Sequence, residues 1–109
     1  MFWKTSPDSF PLVFESCGKF VSRGEWIHPC RIISSYEIMA VLSGKISLYE
    51  GEKEFVLEKN QVYLLSPHIK HGGTRPSRDV SFYWLHFQTQ ALFNEKHFFF
   101  SDADTSGLF

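Results

Sequence analysis

The chain has 109 residues, 43% of them hydrophobic and 21% charged, with twelve Phe, four Tyr and three Trp. That is enough apolar surface for a single domain to bury a core without staples, which excludes a disordered polypeptide and a disulfide scaffold. Eleven Lys and Arg against twelve Asp and Glu leave a formal charge of −1, so the basic excess that neutralises a nucleic-acid backbone is missing.

The N-terminus, Met1 to Asp8, carries no basic stretch followed by an apolar run of the signal-peptide kind. No apolar segment approaches the ~20 residues that cross a bilayer, so no membrane partner is expected and the protein is read as cytoplasmic. Cys17 and Cys30 lack Cys-x-x-Cys spacing and are read as reduced thiols, which suits that compartment.

Residues 1–35 read as an arm followed by one or two short strands. Pro7, Pro11 and Pro29, with Gly18 and Gly24, interrupt any long helix. Phe10, Leu12, Val13 and Phe14 are apolar enough that the arm is expected to lie on something.

Residues 36–87 change to short β-type runs separated by turn signals, the texture of a sandwich or barrel. The runs are Glu37–Leu42, Lys45–Glu50, Glu54–Glu58, Val62–Ser66 and Val80–Phe87. Ile46 and Leu48 alternate with Lys45, Ser47 and Tyr49, and Phe55 and Leu57 with Glu54, Val56 and Glu58, so one face of each strand meets solvent. Ile38–Leu42, Val62–Leu65 and Phe82–Phe87 are nearly continuous apolar runs, expected at the centre of a sheet or covered on both sides. Ser43-Gly44 and Glu50-Gly51-Glu52-Lys53 supply tight turns. The charges Glu50, Glu52, Lys53, Glu54, Glu58 and Lys59 read as a solvated hairpin edge.

Residues 88–109 carry a weaker signal. Gln88–His97 allows a short helix with Ala91, Leu92 and Phe93 as its apolar patch, and Phe98–Phe100 reads as extended. The terminal Leu108-Phe109 pair implies that the natural polypeptide continues, or that the pair packs back on the sheet or joins a dimer contact.

Chemistry concentrates at three places. Phe82, Trp84 and His86 share one face of their strand. A Trp beside a His suits sugar recognition, the ring stacking on C–H groups and the imidazole taking a hydroxyl; ordinary core packing is the alternative. Arg31, after Pro29, offers a five-donor guanidinium that could clamp a carboxylate or phosphate, or pair with Glu37. His71, in the loop from Pro67 to Gly73, is either a ligand contact or a loop histidine that caps backbone groups or meets solvent.

His28-Pro29-Cys30-Arg31, Tyr36–Gly44, Lys59-Asn60-Gln61-Val62, Leu64-Leu65-Ser66-Pro67 with His71, and Ser81–Phe87 together resemble the N-terminal sensory domain of AraC-type transcription regulators, a branch of the cupin superfamily. The turn that usually reads Gly-Asp in that family is Asn60-Gln61 here. The resemblance implies an all-β, cupin-like double-stranded β-helix, or jelly-roll barrel. It also implies a non-catalytic domain that binds a small-molecule effector, often a sugar, and helps a full-length regulator to form a homodimer. DNA would be bound by helix-turn-helix motifs in a separate C-terminal domain, and this chain has no pair of amphipathic helices to supply them.

By order and spacing Trp84 matches the Trp that stacks on sugar in that family. Phe82 and Gly73 stand where such sensors can present polar or larger groups, and Ser43 where they can present a basic one, which speaks against arabinose itself. Metal-dependent cupins hold their ion by two His shortly before a Glu and one His after a Pro. Here Glu37, Pro67 and His71 answer to parts of that pattern, but the paired histidines are missing and His28 would approach only in an unexpected register. No metal or cofactor is expected. The alternative reading is a stand-alone metal-dependent cupin enzyme acting on a sugar or small acid, and a third is a dimerisation module whose pocket has degenerated.

Overall fold

The computed structural model describes residues 12–99; Phe10, Phe100 and the Leu108-Phe109 pair, for which packing was weighed above, lie outside them. The strands are β1 (Val13–Val21), β2 (Glu25–Trp26), β3 (Tyr36–Ser43), β4 (Lys45–Glu50), β5 (Lys53–Glu58), β6 (Gln61–Leu65), β7 (His71–Gly73), β8 (Ser77–Arg78), β9 (Ser81–Gln88) and β10 (His97–Phe99). They form a five-stranded sheet ordered β1-β9-β3-β6-β10, a three-stranded sheet ordered β5-β4-β7, and the β2-β8 pair. Every pairing is antiparallel.

The core lies between the sheets. Met39 and Val41 from β3, Tyr63 and Leu65 from β6, and Phe82 from β9 meet Ile46 and Leu48 from β4 and Leu57 from β5. The alternating runs face as their pattern predicts: Ile46 and Leu48 are buried while Lys45 is exposed, and Leu57 is buried while Val56 is not. The three continuous apolar runs occupy β3, β6 and β9, the interior strands of the larger sheet. Phe55 stacks on Tyr63 with ring centroids 4.0 Å apart.

Two turns use the left-handed region. Gly44, between β3 and β4, has φ +79°, and a Cβ there would lie 2.7 Å from Val80 Cγ1 and 3.0 Å from the Asp79 carbonyl oxygen. Gly44→Ala is therefore expected to lose about 1–2 kcal/mol from the backbone conformation alone, with the clash adding to it. An unchanged urea midpoint would mean that the turn rearranges freely. Asn60, between β5 and β6, has φ 69°; Asn is among the few side chains that tolerate this region.

Four expectations need correction. No helix forms among the described residues: Gln88 ends β9, His97 begins β10, and the segment between them, 89–96, is irregular. Its backbone groups are engaged elsewhere: the Lys96 carbonyl accepts from Leu64 N at 2.7 Å, and the Ala91 carbonyl accepts from Tyr36 Oη at 3.3 Å. Glu50 is not part of a solvated edge. It is buried, accepting from Tyr63 Oη at 3.0 Å and from Ser66 N at 2.7 Å, and it pairs with Lys96.

The segment ending the Pro67–Gly73 loop is strand β7 rather than loop, because it pairs with β4, His71 opposite Glu50 and Gly72 opposite Tyr49; on its other side His71 exchanges backbone hydrogen bonds with Arg31, both 2.9 Å long. Leu12, Val13 and Phe14 remain largely exposed. Among the described residues β1 pairs only with β9, and its register shifts between Phe14 and Ser16. Cys17 and Cys30 are free thiols.

Candidate functional site

Strand β9 projects Phe82, Trp84 and His86 to one side at alternate positions, and β3 sets Glu37 opposite His86. Phe20 from β1, Trp26 from β2 and the segment containing His28, Pro29 and Arg31 complete the wall of a cavity of about 300 Å³. That volume sits at the lower end of the range typical of small-molecule sites.

One side of the cavity is aromatic. Phe20 lies 4.4 Å from Trp26 and 5.2 Å from Phe82, centroid to centroid. The Trp84 indole rests on Gly18 of β1, where a Cβ would come within 2.7 Å of Cζ2. Only a glycine leaves room for the ring in that position.

The other side is polar. Arg31 Nη2 donates to Glu37 Oε1 at 3.2 Å, and His86 Nε2 lies 3.1 Å from the same oxygen. The Glu37 side chain is 2% exposed. Burial pushes its carboxyl above the usual carboxylate range, while His86 and Arg31 pull it back. The cavity thus presents aromatic faces beside a compact group of donors and acceptors whose charges are mutually compensated.

Trp84, Phe82, His86, Arg31 and Glu37 are brought together in this wall. Arg31 and Glu37 form the pair that was weighed against a ligand clamp. Ser43 and Gly73 lie outside the wall. The Ser43 hydroxyl is 2.6 Å from Ser81 Oγ at an exposed strand end. Gly73 N donates to the His28 carbonyl at 3.0 Å, and a Cβ on Gly73 would meet Ile27 Cγ1 at 2.6 Å, so its position is set by backbone packing.

His71 sits one layer behind the wall and is neither solvent-facing nor a loop cap. It is fully buried, and neither ring nitrogen makes a hydrogen bond. Burial, then His28 and Arg31, push its pKa down to about 4; Glu50 and the Ile69 carbonyl oppose the shift. His28 does approach it, with ring centroids 5.3 Å apart, because backbone pairing of residues 28–31 with β7 turns both rings inward.

Among the described residues no group of three or more His, Cys, Asp or Glu side chains is arranged to hold a metal ion. His28 and His71 lack a third donor, so the residues do not fit the metal centre found in many cupins.

Phe20, Trp26, His28 and Pro29 escaped sequence reasoning as wall residues. Trp26 belongs to a strand of two residues, too short for alternation to reveal a face. Gly18 four positions before Ser22 gave no hint that an indole would lie on it. Among the described residues no helix is long and apolar enough to cross a membrane.

Comparisons with known proteins agree with this architecture. The chain is 37% identical over 79 residues to YisR, an uncharacterised HTH-type transcriptional regulator of Bacillus subtilis (strain 168). The match takes in 72% of this chain and 27% of that relative, so the chain spans little more than a quarter of the relative's length.

Among solved structures it is similar to the cupin domain of Schizosaccharomyces pombe Cnp3, with 16% identity and a TM-score of 0.57 over 79% of this chain and 57% of that one. It is also similar to a putative mannose-6-phosphate isomerase from Ralstonia eutropha JMP134, with 15% identity and a TM-score of 0.53 over 79% of this chain and 88% of that one. At such identities the likeness speaks for the fold alone, which is that of a cupin. The family model described as the AraC-like ligand binding domain matches residues 15–100, and the chain belongs to that family.

Proposed function

We propose that this chain is the effector-sensing domain of an AraC-type transcriptional regulator, and that its pocket takes a small polar metabolite, with carbohydrate the favoured class. The observation that carries this reading is the convergence of an aromatic wall, Phe82 and Trp84 with Phe20 and Trp26, on the Arg31–Glu37–His86 cluster across one cavity. A sugar offers C–H faces to the rings and hydroxyls to the cluster. The Arg31 N–H groups not engaged by Glu37 donate, and the Glu37 carboxylate accepts.

On this reading the domain binds and does no chemistry. DNA contact and the homodimer belong to a longer regulator, working in the cytoplasm. Membership of a ligand-binding family and the resemblance to a helix-turn-helix regulator support it. The metal-dependent enzyme reading would need a donor set that the described residues do not bring together.

A thermal-shift panel of neutral sugars and sugar phosphates tests the proposal. A ligand at a hundred times its Kd is expected to stabilise the fold by about 2.7 kcal/mol. With a binder in hand, Trp84→Ala is expected to weaken affinity about tenfold or more, since it removes a stacking face and its buried area. An unchanged affinity would place the ligand elsewhere.

A further inference from the structure

Apart from Glu37 and Ser35, the buried polar side chains among the described residues lie along one path. His28 lines the pocket, and its ring meets that of His71 edge-on, with centroids 5.3 Å apart and planes at 62°. His71 is the cross-strand partner of Glu50 in the β4–β7 pair, and both side chains are buried. Glu50 in turn binds Lys96, immediately before β10, as well as Tyr63 Oη and Ser66 N.

We propose that this line, His28–His71–Glu50–Lys96, couples the pocket wall to the C-terminal strand β10, so that a change at His28 alters how firmly Lys96 is held.

The two middle members of the path differ in kind. His71 is the loose member, fully buried with both ring nitrogens unpartnered, a costly state that any available partner relieves. Glu50 is the shared member. Its Oε1 already serves both Tyr63 Oη and Lys96, and its Oε2 serves Ser66 N. When an occupant displaces the His28 ring, His71 is free to turn toward Glu50, and the carboxylate then divides its charge between the imidazole and the ammonium.

The described part of strand β10, His97–Phe99, lies at the sheet edge and is all paired with β6. An edge strand is paired on one side alone and gains from side-chain anchors, and Lys96 is the charged one at its start. Arg31 and Lys53 are the other cations near the line, Arg31 beside His71 and Lys53 over the Tyr63 ring at 5.7 Å. This inference goes beyond the proposed function, and its test needs no ligand.

The test is a mutant cycle on the 109-residue chain, followed by urea unfolding. No hydrogen bond or ion pair joins His28 to Lys96, so His28→Ala and Lys96→Met would be additive if the line carried nothing. The expected result is a departure from additivity of about threefold or more in the unfolding equilibrium constant, which disappears when the cycle is repeated in a His71→Leu background. Lys45→Met, at an exposed pair with Glu58, should remain additive with His28→Ala.

Additivity between His28→Ala and Lys96→Met overturns the proposal, and so does coupling that persists in His71→Leu. Should Lys96→Met fail to fold, Lys96→Gln with amide exchange at Phe98 as the readout takes its place. His28→Ala is then expected to change Phe98 protection at least threefold in the native chain and to leave it unchanged in His71→Leu.

Discussion

Glu50→Ala is expected to destabilise the fold by about 3–5 kcal/mol, the range for breaking one half of a buried charged pair. The carboxylate ties three separate pieces of chain to β4: the Tyr63 hydroxyl of β6, the backbone of Ser66, and Lys96 ahead of β10. Its removal leaves the Tyr63 hydroxyl and Ser66 N–H without an acceptor in the interior, and each such orphan costs about 1–3 kcal/mol. Glu50→Gln keeps one acceptor oxygen but sets an amide NH2 where the other stood, so it loses the charge and one acceptor and should fall between Glu50→Ala and wild type in a urea series. Equal losses for the two variants would show that a single remaining acceptor oxygen does not stand in for the carboxylate.

The second large effect is one of pH. The unfolded chain protonates His71 near its ordinary value of 6.5, whereas the folded chain resists protonation down to about 4. Between these values the unfolded state binds more protons, and stability falls as pH falls. The contribution is fully present above about pH 6.5 and exhausted below about pH 4, a loss on the order of 3 kcal/mol. His28, held low by burial, acts in the same direction.

Glu37 acts in the opposite direction. Its raised carboxyl pKa gives a contribution that is present at low pH and lost as pH rises through the folded value. Comparing wild type with His71→Leu at pH 7 and pH 4.5 isolates the imidazole, because Glu37 and His28 are common to both. The variant is expected to be flatter with pH, and at pH 7 no less stable than wild type, since a buried group without partners is replaced by an apolar one. Identical pH profiles would mean that the folded chain protonates His71 as readily as the unfolded one.

Where local pattern and tertiary environment agree, the sequence could be read. Ile46 and Leu48 alternate with polar neighbours because one face of β4 is core, and the same periodicity put Phe82, Trp84 and His86 on a common wall. The continuous runs in β3, β6 and β9 were legible as interior strands for the same reason. Glu50 was not legible. It stands beside Glu52, Lys53 and Glu54, and its burial depends on Lys96, 46 positions away, which no local pattern can announce.

The irregular course of residues 89–96 has a similar cause, since backbone groups that a helix would use internally are taken by Tyr36 and Leu64. The approach of His28 to His71 likewise follows from a bridge between Arg31 and His71 that spans two stretches read separately as arm and loop.

The aromatic wall has an optical consequence. Two of the chain's three tryptophans, Trp26 and Trp84, line the candidate pocket, and each has an imidazole beside it, His28 at 5.5 Å from Trp26 and His86 at 5.2 Å from Trp84. Intrinsic fluorescence of the unlabelled chain is thus weighted toward the pocket. An occupant that covers the indoles or moves either imidazole will shift the emission, and the domain becomes its own reporter for titrating candidate effectors.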